Sequence, residues 1–350
     1  MTVAEAIKKV LARQDLTVAE AEAVLDQIMT GECPDAQIGA LLTALRMKGE
    51  SVDEVTGFAR VMRRRSSAVR PRCAVDEQLG GTEREALIDT CGTGGDASGT
   101  FNVSTATAFV VAGSGLRVAK HGNRSVSSQC GSVDVVEALG IRVDLTPEQI
   151  SECIDRIGIG FLPAPLLHGA MKHVAHVRRQ LGIRTIFNLL GPLTNPAGAD
   201  TQVIGVYDGK VTELCAKVLL ELGTKRAFIV HGLDGLDEIT VTGTTRVTEL
   251  NDGRFETYNI SPEDLGVTRA SLNEIQGGDA KRNAQIIHEV LSDVPGPRRD
   301  IVLLNASAAM VAGGKARDFA EGVAIARDSI SSGAASRKLE ELINFTNQKF

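Results

Sequence analysis

A chain of 350 residues, 43% hydrophobic and 23% charged, can bury a large core and is too apolar to stay disordered. Surface scaling gives about 13,600 Å² folded against about 54,000 Å² unfolded, so neither disulfides nor a structural metal are needed for stability. A net charge of −6 disfavours nucleic-acid partners, whose binding rests on counterion release by Lys and Arg.

Residues 1–65 read as helices. Thr17 and Glu20 form a capping box ahead of Ala21, Val24, Leu25 and Ile28 at helical spacing. Gly31 and Pro34 punctuate, and Ile38, Leu41, Leu42 and Leu45 make the next stripe, ended by Gly49. Ser51 and Glu54 form a second capping box before Val55, Phe58 and Met62. Short helices with one apolar face must bury it on each other or on a partner. Arg63–Arg65, Ser66, Ser67 and Pro71 mark a boundary.

From about residue 86, apolar runs alternate with helical stretches. These are Leu87–Cys91, Ser104–Ala112, Leu116–Ala119, Val133–Leu139, Val203–Tyr207, Thr212–Leu222 and Ala227–Val230. Such alternation predicts an α/β sheet with helices packed on it. Residues 279–291, 301–312, 318–331 and 335–345 read as closing helices. Residues 163–185 differ: Pro163 and Pro165 precede a basic helix, His168–Gln180, with no strand before it. The expected division is a helical domain over 1–70, joined by 163–185, and an α/β domain over 71–162 and 186–350.

Cys33, Cys73, Cys91, Cys130, Cys153 and Cys215 lie far apart, with no C-x-x-C. That predicts no zinc site, reduced thiols and a cytoplasmic enzyme. Neither a secretory signal nor a run of about 18 apolar residues is legible, so no membrane partner is expected.

Four stretches carry chemistry. Asp89–Asp96, with Gly92, Gly94 and Gly95, follows a strand and precedes Thr100–Thr105 at a helix start. Glycines let backbone N–H groups converge, and the helix start adds free donors and partial positive charge, so this loop suits phosphate. Of Asn102, Ser104 and Thr105, one is expected to cap the helix, leaving the others for phosphate oxygens or a metal. Lys120–Ser128 ends a second strand with two cations, three serines and no carboxylate, which describes an anion site. Asp237 and Glu238, in a glycine-flexed turn, repel unless a cation offsets them. Taken alone the pair reads as a surface acidic turn, but beside two phosphate-binding loops Mg²⁺ bound also by substrate phosphates is the better reading. On the fourth, Arg178 and Arg179 could hold a carboxylate in a bidentate fork, although spacing alone favours a solvated basic helix. Together these imply a polyphosphorylated, Mg²⁺-bound substrate and an acidic second one.

Gly92–Asp96, Thr100–Thr105, Lys120–Ser125, Arg184–Pro196 and Asp237–Ile239 resemble the motifs of the anthranilate phosphoribosyltransferase family over nearly the whole chain. The resemblance implies a small N-terminal helical domain and a larger α/β domain with a central mixed sheet, like that of nucleoside phosphorylases. It also implies a homodimer joined through the helical domain. The implied reaction gives phosphoribosyl-anthranilate and pyrophosphate from phosphoribosyl pyrophosphate and anthranilate, in tryptophan synthesis, with Mg²⁺. Carried over residue by residue, the phosphoribosyl pyrophosphate site is Gly92, Gly95, Asp96, Thr100, Asn102, Val103, Ser104, Thr105, Lys120, His121, Gly122, Asn123, Arg124, Ser125, Val126, Ser127, Ser128 and Ser132. Ser104, Asp237 and Glu238 would ligate Mg²⁺. Gly92, Asn123 and Arg178 would hold anthranilate. No general base is assigned, with His121 a possible proton acceptor. Two alternatives are a pyrimidine nucleoside phosphorylase-like enzyme and a non-catalytic nucleic-acid-binding relative.

Overall fold

The computed structural model describes residues 1–72, 85–96, 98–124 and 130–348. Four helices open it: α1 (Val3–Leu11), α2 (Val18–Thr30), α3 (Asp35–Lys48) and α4 (Val52–Arg65). Both expected capping boxes form, Thr17 with Glu20 and Ser51 with Glu54. A third, Thr2 with Glu5, starts α1. Gly31 closes α2 in the left-handed conformation, at φ +83°.

The α/β part runs β1 (Leu87–Asp89), α5 (Val103–Gly113), β2 (Arg117–Gly122), α6 (Ser132–Ala138), α7 (Pro147–Ile157), β3 (Ile159–Pro163), α8 (Ala164–Leu167), α9 (Lys172–Leu181), α10 (Phe187–Leu193) and β4 (Thr201–Gly205). It continues α11 (Thr212–Glu221), β5 (Arg226–Gly232), β6 (Thr245–Asn251), β7 (Arg254–Ile260), α12 (Ala280–Leu291), α13 (Pro297–Ala312), α14 (Phe319–Ser331) and α15 (Ala334–Thr346). The strands form one mixed sheet in the order β3-β2-β1-β4-β5-β6-β7. The first five are parallel and the last two antiparallel.

Two corrections to the sequence reading arise here. A strand, β3, does precede the 163–185 segment; it is an edge strand ending in Pro163, where a missing N–H costs the ladder nothing. The Gly160 and Pro163 within it read as turn punctuation. The basic helix begins at Lys172 rather than His168, and His168 is buried.

Side chains alternate across the sheet. Val203, Phe228 and Val230 face a core shared with α5, α12, α13, α14 and α15. Ile204, Ala227 and Ile229 face a second core that takes in α1–α4, Val174 and Val177 of α9, and α10 and α11. The N-terminal helices therefore bury their stripes against α9–α11 and one sheet face. Among the described residues no helix is long and apolar enough to cross a membrane.

Chain order reverses between β1 and β4: the chain winds from β1 out to β3, then restarts at β4 in the other direction. A crevice opens past the strand ends at such a switch point, where ligands of open α/β sheets collect.

Candidate active site

The crevice is built from the loop after β1, the start of α5, the end of β2 and the turn after β5. The glycine loop is held on one side by Thr93, whose N–H donates to the Gly205 carbonyl (2.8 Å) and whose hydroxyl accepts from the Tyr207 N–H (3.1 Å). On the other, the Gly94 N–H donates to Asp237 Oδ2 (2.8 Å). A Cβ at Gly92 would lie 2.7 Å from Asp237 Oδ2, and one at Gly205 only 1.6 Å from the Asp237 carbonyl oxygen. Both positions must be glycine for the acidic turn to sit against the loop.

Asp237 and Glu238 are half-buried beside Asp96 and Lys120. Burial first, then Asp96, pushes the Asp237 carboxyl up. Burial, then Asp237, pushes Glu238 up, while the Lys120 charge and the Ser104 N–H pull it down. The first turn of α5 thus turns a free donor toward Glu238, as expected at a helix N-terminus. Glu238 lines a small cavity with Ser104, Thr107 and Asn305, and the buried Thr107 hydroxyl there has no hydrogen-bond partner among the described residues. Three carboxylates facing one ammonium leave excess negative charge in a partly dry site. Carboxylate and hydroxyl oxygens are hard donors, the set Mg²⁺ prefers, so these residues fit that ion.

The expected side-chain cap on α5 does not form. Asn102 occupies the N-cap position but makes no capping bond. It is tied elsewhere, donating to the Cys130 carbonyl (3.4 Å) and accepting from buried Asn283 (2.9 Å). Val103 and Thr105 are buried, and their backbone N–H groups donate to the Phe101 and Asn102 carbonyls at 2.7 and 3.1 Å. Thr100 bridges to Gln276.

Lys120 and His121 are buried at the end of β2. Behind them stands Asp89, fully buried, which accepts from the His121 N–H (3.1 Å) and the Asn195 amide (2.7 Å). Burial pushes its carboxyl up to about 6 against the opposing pull of Lys120. Arg124 turns outward onto Asp134 and Glu137 of α6, at 3.0 and 2.6 Å, so the carboxylate-free impression of its own loop does not extend to its neighbours. The Ser132 hydroxyl takes the Asn123 N–H at 3.0 Å. Ser125, Val126, Ser127 and Ser128 lie outside the described residues.

The His121 ring shares a hydrogen bond with the Gly191 carbonyl (3.0 Å) and packs tilted against His168, with centroids 5.2 Å apart. Burial lowers His121 to about 3 and His168 to about 4, so both stay neutral at physiological pH. NMR of the two rings is expected to show no titration between pH 5 and 8; a midpoint near 6.5 for either would contradict this packing. Such a His121 is a poor general base.

Arg178 lies on α9 with its guanidinium 5.4 Å from the Phe187 ring centroid. Burial pulls it below the usual arginine range, and among the described residues no carboxylate is within ion-pair distance. That differs from a solvated basic helix. Arg179, one residue on, is exposed. Asp89, Asn195, His168, Arg184, Tyr207 and Gly205 were not singled out as site residues from sequence. Only Asp89, His168, Arg184 and Asn195, inside the stretches that carry chemistry or the family motifs, give any signal in the sequence.

The helical-bundle model of the glycosyl transferase family matches residues 4–66, and the a/b-domain model of the same family matches residues 84–336. The fold and site therefore define a glycosyl-transferring enzyme. A curated anthranilate phosphoribosyltransferase of Geobacter sulfurreducens is 54% identical over 347 residues, covering 98% of this chain and 99% of the relative. That of Moorella thermoacetica is 54% identical over 337 residues, covering 96% of each. The crystal structure of the Thermus thermophilus enzyme superposes with a TM-score of 0.90 at 41% identity, covering 98% of this chain and 99% of that one. The Saccharomyces cerevisiae enzyme, solved with PRPP and Mg, gives 0.87 at 29% identity, covering 98% and 97%. The chain belongs to the anthranilate phosphoribosyltransferase family, transferases of tryptophan biosynthesis.

Proposed function

We propose that this chain transfers the phosphoribosyl group of phosphoribosyl pyrophosphate to the anthranilate amine, with Mg²⁺ held by Ser104, Asp237 and Glu238. The observation that carries the reading is the acidic pair pressed onto the glycine loop and the start of α5, at the sheet's switch point. The glycine loop and the positive end of α5 bind the phosphates, joined by Lys120 and the 121–132 segment. Bound Mg²⁺ would supply charge neutralisation for the departing pyrophosphate. The Lys120 ammonium, aimed where negative charge grows, contributes the same effect from the protein. Anthranilate sits between Gly92, Asn123 and Arg178, its carboxylate on the arginine. Its amine is neutral at pH 7 and needs placement more than activation, so positioning supplies most of the rate. Neither the phosphorylase nor the nucleic-acid-binding alternative is favoured by the relatives.

The deciding assay is release of pyrophosphate from phosphoribosyl pyrophosphate. It should require both anthranilate and Mg²⁺. Release without anthranilate would overturn the acceptor assignment.

The same reading includes a cytoplasmic homodimer. Its support is an apolar groove between α1, α3 and α9, lined by Leu11, Ala40, Met47, Val177 and Leu181. Leu11 is 68% and Met47 72% exposed, and a second copy of the same helices would cover them in an isologous contact. Sedimentation should give a dimer at micromolar concentration, and Leu11→Glu with Met47→Glu a folded monomer. A wild-type monomer would exclude the groove as a self-interface.

A further inference from the structure

We propose that Arg184 is a positioning residue for the glycine loop: stacked on Tyr207, it holds the Gly95 carbonyl and so fixes the loop in its phosphate-binding shape. This rests on the reading that the loop carries the pyrophosphate group. Gly94 and Gly95 are both left-handed, at φ +66° and +75°. Consecutive glycines in that region turn easily, so the direction of their N–H groups depends on outside tethers. Thr93 is tied to Gly205 and Tyr207, and Gly94 to Asp237. At Gly95 the tether is Arg184, whose guanidinium donates to the Gly95 carbonyl. The Arg184 Cζ lies 4.3 Å from the Tyr207 ring centroid. Tyr207 thus secures the loop twice, through its own N–H at Thr93 and through the arginine on its ring.

The guanidinium suits this task. It lies flat on a ring while donating in its own plane, which an ammonium cannot do. Among the described residues no carboxylate is within ion-pair distance of Arg184. Its charge is therefore not neutralised and adds to the positive potential around the loop. Arg184 is exposed, so replacing it opens no cavity in a core.

Steady-state kinetics on the full chain, with phosphoribosyl pyrophosphate, anthranilate and Mg²⁺, tests the proposal. Arg184→Ala should raise the KM for phosphoribosyl pyrophosphate roughly 30-fold, the lower end of what one charged hydrogen bond plus one exposed cation–π contact supply. The KM for anthranilate and the thermal midpoint should stay near wild type. Arg184→Lys should keep most of the defect. Tyr207→Phe, which retains the ring, should behave as wild type, while Tyr207→Leu should reproduce Arg184→Ala. An unchanged KM for phosphoribosyl pyrophosphate in Arg184→Ala, or full rescue by lysine, overturns the proposal while the functional reading stands. A wild-type chain that releases no pyrophosphate overturns both.

Discussion

Replacing Asp237 with Asn and Glu238 with Gln together is expected to lower turnover at least ~100-fold at limiting Mg²⁺, with part of it restored at high Mg²⁺. The estimate takes about 3 kcal/mol of charge stabilisation supplied through the metal, and each 1.4 kcal/mol is tenfold in rate. The structure gives a second, independent readout. Both carboxyls are pushed up by burial and by Asp96, and Glu238 also by Asp237. A carboxyl whose folded pKa lies above its unfolded value favours the protonated fold. Its ionisation therefore costs stability, fully above the raised value and not at all below the unfolded one. The metal-free double variant should thus melt higher than metal-free wild type at pH 8. The gap should close as the pH falls toward the ordinary carboxylate range. Saturating Mg²⁺ should stabilise wild type more than the variant, because a ligand stabilises only the state that binds it. Kinetic titration with Mg²⁺ and thermal melts at two pH values check both halves. A double variant with unchanged Mg²⁺ dependence removes the pair from the metal site.

The same residues show how far the sequence could be read. The glycine loop, the helix stripes and the capping boxes are local patterns, in which neighbouring residues decide the backbone. They were legible for that reason, and the structure forms the Thr17 and Ser51 boxes as read. What escaped was set by contacts between distant residues. Asn195 reaches Asp89 across 106 positions, and nothing near either residue announces the pair. Gly205 looks like the ordinary end of a strand. Only the Asp237 carbonyl lying where its Cβ would be explains it. The hairpin of β6 and β7, joined at Asp252 and Gly253, carries polar and charged residues along an edge, so its apolar signal is weak. The sequence suggests a side-chain cap on α5, but Asn102 satisfies its side chain on Cys130 and Asn283 instead.

Arg178→Ala is expected to raise the KM for anthranilate strongly and to leave phosphoribosyl pyrophosphate binding nearly intact. The argument starts from the acceptor, which carries a carboxylate beside its amine. In a closing cleft that carboxylate needs a fixed cation, and a planar guanidinium matches it with two parallel hydrogen bonds. Arg178 offers a partly buried guanidinium packed over Phe187, with burial already disfavouring its charge. A cation in that condition gains from an anionic partner, and no carboxylate of the described chain supplies one. Removing it would strand the substrate carboxylate, at a cost on the order of 2–4 kcal/mol. That corresponds to roughly 30- to 1,000-fold in KM. Arg179 is the internal control. It is one residue further round the helix, about 100° away, and exposed, so Arg179→Ala should change little. Arg178→Lys separates charge from geometry: it keeps the cation but loses the fork, and should recover only part of the affinity. If Arg178→Ala weakens only phosphoribosyl pyrophosphate binding, the arginine belongs to the donor's phosphates. The anthranilate carboxylate must then be held elsewhere in the crevice.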